Sequence, residues 1–315
     1  MEDFRTYSPE EVITQNLCEI NQRFDLLGEQ EIAHLRELST EIAKSADIAD
    51  LLSALPYYRP QVSHTRQNTP EGNLQMLARS HKLCEARQCM ILCHSLFEHL
   101  QEREPLLPYL FPDIEEIGAH AVNRIIYQRS SYADDAYLTF ASLFTEPRAA
   151  YAHSFHAACE EVYNGHCEYC ILPLENAAEG ELIGFAKLIS RYELKIAACC
   201  SIAGADTARA TRFALLRRNI LPALSTNTES NGFFRFSLPT HLHSLLGDIL
   251  DAARFCELKL LTLSTLPASK GEADSCFHVT LSIDGGKLYP FLLYLAMVAP
   301  QYTPIGIYSQ LKQKG

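Results

Sequence analysis

Two short segments carry the residue types from which an anion-handling site is built. Cys170-Ile-Leu-Pro-Leu-Glu-Asn-Ala-Ala-Glu-Gly-Glu181 reads as a buried strand ending in a polar turn, Glu175-Asn176, with a helix expected to start near Ala177. An acid, an amide and the unpaired N–H groups of a helix start would then meet where an anionic substrate can bind. Thr211-Arg212 enters a second predicted strand only 35 positions (211 − 176) after Asn176. The Thr211 hydroxyl suits donation to a departing oxygen, and Arg212 suits a bidentate grip on a carboxylate. Each residue also has a plain structural reading. Asn176 can cap a helix, Thr211 can be an ordinary β-branched strand residue, and Arg212 faces solvent in half of the possible registers. Glu175 beside an anion site must itself be tied down by a cation or donor.

Other reactive residues carry less. Cys167-Glu-Tyr-Cys170 has metal-ligand or redox spacing, and Cys199-Cys200 are neighbours, but no second Cys/His pair completes a zinc site. Cys84, Cys89 and Cys93 fall at helical spacing among apolar residues, as core filling. His153 with His156, and His241 with His243, lack a third ligand, so neither a metal nor a cofactor is expected.

The elements that must position these residues show three textures. Residues 9 to about 120 read as helical: Glu10 to Leu55 and Glu71 to Leu100 carry apolar residues at three- and four-residue spacing. A proline-marked connection, Pro56 to Pro70, separates them, and a shorter helix is expected over Pro112 to Asn123. From Arg124 strands and helices alternate: strand Arg124 to Tyr127, helices Asp134 to Leu143 and Ser154 to Asn164, strand Tyr169 to Pro173, helix Glu181 to Arg191, and strands Leu194 to Ile202 and Phe213 to Leu216. That order predicts an α/β layer with a mostly parallel sheet. After a Ser/Thr/Asn-rich linker, Leu221 to Gly232, the remaining elements run strand Phe233 to Leu238, helix His241 to Phe255, strands Leu258 to Thr265 and Cys276 to Ile283, helix Lys287 to Val298 and strand Thr303 to Tyr308. This is the βαββαβ order of ferredoxin-like modules. The fold class expected is therefore multidomain α and α/β, divided into a helical domain (1–121), a single-lobe α/β domain (122–228) and a ferredoxin-like domain (229–315).

Composition bounds the rest. A chain of 315 residues with 47% hydrophobic and 21% charged residues is globular material. Its net charge of -11 argues against nucleic acid or an anionic membrane as partner. The acidic opening Met1-Glu-Asp-Phe-Arg5 lacks the apolar core of an export signal, and the longest greasy run, Phe291 to Ala299, is too short to span a bilayer. Eleven cysteines without an export signal suggest reduced thiols and a cytoplasmic location.

Ile171-Leu-Pro-Leu-Glu-Asn-Ala-Ala-Glu-Gly180 resembles the Pro-Ile-Glu-Asn-Ser/Thr…Gly signature of prephenate dehydratases, and Thr211-Arg-Phe213 resembles that family's Thr-Arg-Phe. Ser130-Ser-Tyr132 before a helix is similar to its Gly-Ser/Thr-Phe/Tyr-Ser turn, and residues 229–315 resemble the ACT domain that follows. The matches lie in the family's order over about residues 124 to 315. The resemblance implies a lyase converting prephenate to phenylpyruvate in phenylalanine biosynthesis. Asn176 and Thr211 would then be catalytic, with Arg212, Glu175, Ser130 and Ser131 binding a small dianion. It implies no cofactor, a homodimer and an amino-acid effector held near Ser244, Leu245, Leu246 and Ser264.

The chain departs from that pattern in several places. Ala177 stands where the family has a hydroxyl, Gln128-Arg-Ser130 replaces glycines, and Leu263-Ser-Thr-Leu-Pro267 lacks the charges of the family's Glu-Ser-Arg-Pro. The interval between Asn176 and Thr211 leaves no room for the family's second lobe, and a one-lobed site needs another surface to exclude water. A non-catalytic descendant that binds an aromatic metabolite or a pathway enzyme is the alternative. A different small-molecule binder on the same half-fold is a third. Leu17 to Asp25 and Leu35 to Lys44 faintly resemble the first helix of chorismate mutase. Arg36 and Lys44 would be remnants of its cationic site, or solvated charges on an amphipathic helix, and Cys18 stands in place of its first arginine.

Overall fold

The computed structural model describes residues 28–37, 39–40, 86–103, 123–203, 210–220, 232–268, 275–299 and 301–312. The expected connection Pro56 to Pro70, the helix expected from Pro112, and Cys18 and Lys44 lie outside the described residues. Residues 28–37 are helical, and α1 follows (Ala86–Arg103). The alternating part runs β1 (Asn123–Gln128), α2 (Ser131–Ala141), β2 (Pro147–Ala152), α3 (Phe155–Tyr163), β3 (Tyr169–Asn176), β4 (Gly180–Glu181), α4 (Ile183–Arg191), β5 (Lys195–Ile202) and β6 (Thr211–Arg217). The last part runs β7 (Gly232–Pro239), α5 (His243–Phe255), β8 (Lys259–Leu266), β9 (Cys276–Ser282), α6 (Leu288–Val298) and β10 (Thr303–Leu311).

All ten strands belong to one sheet of order β2-β1-β3-β6-β5-β10-β7-β9-β8, with β4 paired to β3 alone. Within it β10-β7-β9-β8 is the antiparallel strand order of a ferredoxin-like βαββαβ unit, as expected. The alternating part is mixed rather than mostly parallel. β1 runs parallel to β2 and β3, but β6 inserts antiparallel between β3 and β5. The strand β2 was not expected, because Pro147-Arg-Ala-Ala-Tyr-Ala152 has no β-branched residue and lies half exposed at the sheet edge.

Side chains alternate across the sheet, so each face collects its own core. Ile125, Tyr127, Ile171, Cys200, Phe213 and Leu215 pack under α2. Ile126, Cys170, Leu172, Ile196, Cys199 and Ala214 pack under α3 and α4. In the ferredoxin-like part, Phe234, Phe236, Val279 and Leu281 meet α5 and α6, and α1 packs on the same group through Met90, Leu92 and Leu96. Ser130 and Ser154 start α2 and α3 by accepting the N–H groups of Ala133 (3.2 Å) and Ala157 (3.1 Å).

The strand β10 joins the two parts, running parallel to β5 and antiparallel to β7. Its register shifts on both sides at Gly306, where the two backbones come unusually close. A Cβ at Gly306 would lie 2.5 Å from the Ile196 carbonyl oxygen and 2.9 Å from the Ile196 Cβ. Because the obstruction is backbone, it cannot rotate away. Gly306→Ala is therefore expected to cost about 2–4 kcal/mol, the range for forced shifts in a packed interior. Urea unfolding checks this, and an unchanged midpoint would contradict it.

Candidate functional site

The segment Glu175-Asn176 ends β3 and turns directly into β4, with Glu175 opposite Glu181 and Asn176 opposite Gly180. The helix read as Glu181 to Arg191 is present as Ile183–Arg191, but it does not start near Ala177, so its N–H groups are not beside Asn176. Physically, residues 177–179 form a tight hairpin loop whose exit needs the left-handed backbone that Gly180 supplies at φ 73°. The Asn176 Oδ1 accepts the Ala178 N–H at 2.7 Å, an Asx turn that fixes this hairpin. The Ala177 N–H donates to the Ala210 carbonyl at 3.0 Å.

Thr211 lies opposite Asn176 on β6, and Arg212 lies opposite Glu175. The two sequence signatures therefore meet in register at one edge of the sheet. The half-buried Thr211 hydroxyl makes no hydrogen bond among the described residues. Ser130, following β1, reaches the same edge, but its hydroxyl is occupied in capping α2; Ser131 is the exposed first residue of that helix. Ser244 is exposed on α5, while Leu245 and Leu246 pack on the core beneath it. Ser264 sits elsewhere, opposite His278 in the β8–β9 pair and on the face away from α5.

Arg212 is not an open clamp. Its Nη1 meets Glu175 Oε2 at 3.3 Å, its Nη2 donates to Gln310 Oε1 at 2.9 Å, and its guanidinium lies over the Phe233 ring, 5.2 Å from the centroid. Gln310 in turn donates to the Ser201 hydroxyl at 3.0 Å. A second cation was missed in the sequence. Arg235 on β7 is 4% exposed, bonded to Glu181 and 3.8 Å from Glu175 Oε1. Glu181 also takes the Ser264 hydroxyl and lies 3.0 Å from His278 Nδ1. The readable signal was a lone arginine inside Phe233-Phe-Arg-Phe236, since a charge in an aromatic strand must find a buried partner.

Burial alone would raise the Glu181 pKa. The His278 hydrogen bond, the Arg235 charge and the Ser264 hydroxyl outweigh burial and hold the carboxyl at about 2. Arg212 also loses by burial, yet the nearby Cys199, Tyr308 and Glu175 raise its pKa overall. Burial pushes the Cys199 thiol up to about 12, so it is neutral and no nucleophile at physiological pH. The Cys167/Cys170 pair is buried as free thiols, with Cys170 raised by its bond with the Cys159 thiol and by burial. Among the described residues no group of three or more His, Cys, Asp or Glu side chains is arranged to hold a metal ion. The arrangement is a cross-link of matched charges in which, among the described residues, the Thr211 hydroxyl and the buried Arg212 Nε and Arg235 Nε are left without a hydrogen bond.

No protein-family model matches the sequence, and no curated protein matches it. Among solved structures the chain is similar to a prephenate dehydratase from Streptococcus mutans, at 17% identity and a TM-score of 0.47 over 60% of this chain and 98% of that one. It is also similar to GqqA, described as a novel type of quorum quenching acylase, at 16% identity and a TM-score of 0.44 over 59% and 94% of the two chains. A third similar structure is a prephenate dehydratase in complex with L-Phe from Arthrobacter aurescens, at 16% identity and a TM-score of 0.43 over 59% and 89%.

The lowered pKa of Glu181 fixes a sign for acid stability. A carboxyl held at about 2 in the fold, against 4.5 as the ordinary value, stabilises the protein above pH 4.5 and loses that contribution as pH falls toward 2. Allowing for residual solvent screening, the contribution is on the order of 2–3 kcal/mol. Glu181→Gln should lower stability by about that much at neutral pH and flatten the acid limb. Urea unfolding across this pH window measures both, and an unaltered acid limb would show that Glu181 is not the titrating group.

Proposed function

We propose that this chain is a non-catalytic relative of the prephenate dehydratases, a protein of regulatory or scaffold type that works by association. The observation that supports this reading is the occupation of both guanidinium groups, Arg212 by Glu175 and Arg235 by Glu181. A dehydratase must anchor two substrate carboxylates while a hydroxide departs, and cations already matched to internal carboxylates would have to break those pairs first. The turn role of Asn176 and the displaced start of α4 remove two further donors from the place where a substrate would sit.

One observation favours a second reading, a residual dehydratase. The Thr211 hydroxyl, without a hydrogen bond among the described residues, stands beside Asn176 at the sheet edge, as general-acid assistance to a leaving oxygen requires. The two readings separate on one assay. Under the first, purified protein forms no phenylpyruvate from prephenate at any pH where it is folded. Turnover that disappears in Thr211→Ala would establish the second reading and overturn the first.

Association has a surface available. The edge strand β8 is exposed on both faces, with Leu260, Leu261 and Leu263 at 46%, 49% and 44% exposure and one charge, Lys259, at its start. Such an edge lacks the charges and prolines that normally block pairing. A second copy aligned antiparallel along β8 would cover the leucines and extend the sheet across a two-fold axis. Leu263→Lys should then shift the protein from dimer to monomer in light scattering after gel filtration, whereas a monomeric parent would refute the pairing.

A further inference from the structure

Beneath α4, where its inner side crosses the face of β5, β7 and β10, lies a cavity of about 50 Å³. Its wall includes Glu181, Ser190, Lys195, Arg235, Ser237 and His278. The charges around it do not balance. In the wall Arg235 is matched by Glu181, with Glu175 3.8 Å away, which leaves the Lys195 ammonium without a carboxylate in contact among the described residues. Its hydrogen bond is to the Pro304 carbonyl at 2.9 Å, so among the described residues two of its three donors remain. Glu193 acts on Lys195 only as a more distant charge, from an exposed position. Burial lowers the Lys195 pKa, the direction expected of an ammonium withdrawn from water without a carboxylate contact.

We propose that this cavity binds a small monoanion of carboxylate size, held by the Lys195 ammonium. One ammonium without a carboxylate in contact suits a single negative charge, and the volume admits an anion of a few heavy atoms, well below the size of an aromatic metabolite. Ser190 is exposed at the rim, so the cavity opens to solvent on the α4 side, and the carboxylate can be free or the end of a slender organic acid. Nothing in this assignment depends on the fate of the Arg212 and Thr211 edge, and it stands or falls separately from the reading of that edge.

The test uses the full chain in thermal unfolding at fixed ionic strength, with formate, acetate or chloride exchanged against a bulky sulfonate. Formate and acetate should raise the melting temperature by about 2–4 °C at saturating concentration. A rise with chloride alone would assign a halide site and overturn the carboxylate. Lys195→Met keeps the length of the side chain, removes the charge and should abolish the rise. Should that variant not fold, competition on the parent protein decides: the protein must broaden the formate NMR line, and excess acetate must narrow it again. A melting temperature that follows ionic strength only, a rise that survives in Lys195→Met, or a formate line that the protein does not broaden or that acetate leaves unchanged would each overturn the proposal.

Discussion

The buried guanidinium of Arg235 is the constraint on which the rest of the arrangement depends. A guanidinium only 4% exposed is tolerated only if carboxylates reach it with good geometry. No neighbour in its own sheet ladder supplies one: β9 offers Thr280 opposite it, and β10 offers Gly306. Both acids come instead from the β3–β4 hairpin, which lays Glu175 and Glu181 over the face of the ferredoxin-like part. That need explains why the chain turns at residues 177–179 where a helix would otherwise begin. It also explains why α4 lies over a face that a free-standing βαββαβ unit would leave to solvent or to another subunit.

Much of the fold was legible because hydrophobic periodicity reports local geometry. The alternation from β1 to β6 and the βαββαβ order after residue 232 follow from apolar spacing and turn residues alone. What escaped were features decided by distant partners. The strand β2 exists because β1 pairs with it, its own residues having little strand preference. Glu181 looked like the acidic first residue of a helix, a favourable place for a carboxylate, but Arg235, 54 positions away, claims it for a strand. The pairing of Asn176 with Thr211 and of Glu175 with Arg212 was implied by the motifs without their register. His278 and Gln310 had no local signal at all, lying 97 and 98 positions from Glu181 and Arg212.

The same side chains thus read differently at two levels. As a list of types, Glu175, Asn176, Thr211 and Arg212 describe an active site. As placed atoms, Glu175 and Arg212 complete each other, Asn176 is taken by the Ala178 N–H, and Thr211 makes no side-chain hydrogen bond among the described residues. Preorganisation for catalysis leaves donors aimed at where a substrate's charge will develop. Here the donors are aimed at the protein's own acids, which is preorganisation for rigidity.

The position of β10 has a consequence for how the molecule comes to be. This strand, residues 303–311, is made after all the others, yet it occupies the middle of the sheet between β5 and β7. Until it emerges from the ribosome, β5 and β7 each present a bare hydrogen-bonding edge beside a greasy face. Sequence separations this long make pairing slow and leave nascent chains open to sticking to one another. Synthesis of this protein therefore passes through an interval, its length set by translation speed, in which two strand edges in what becomes the middle of the sheet stand open.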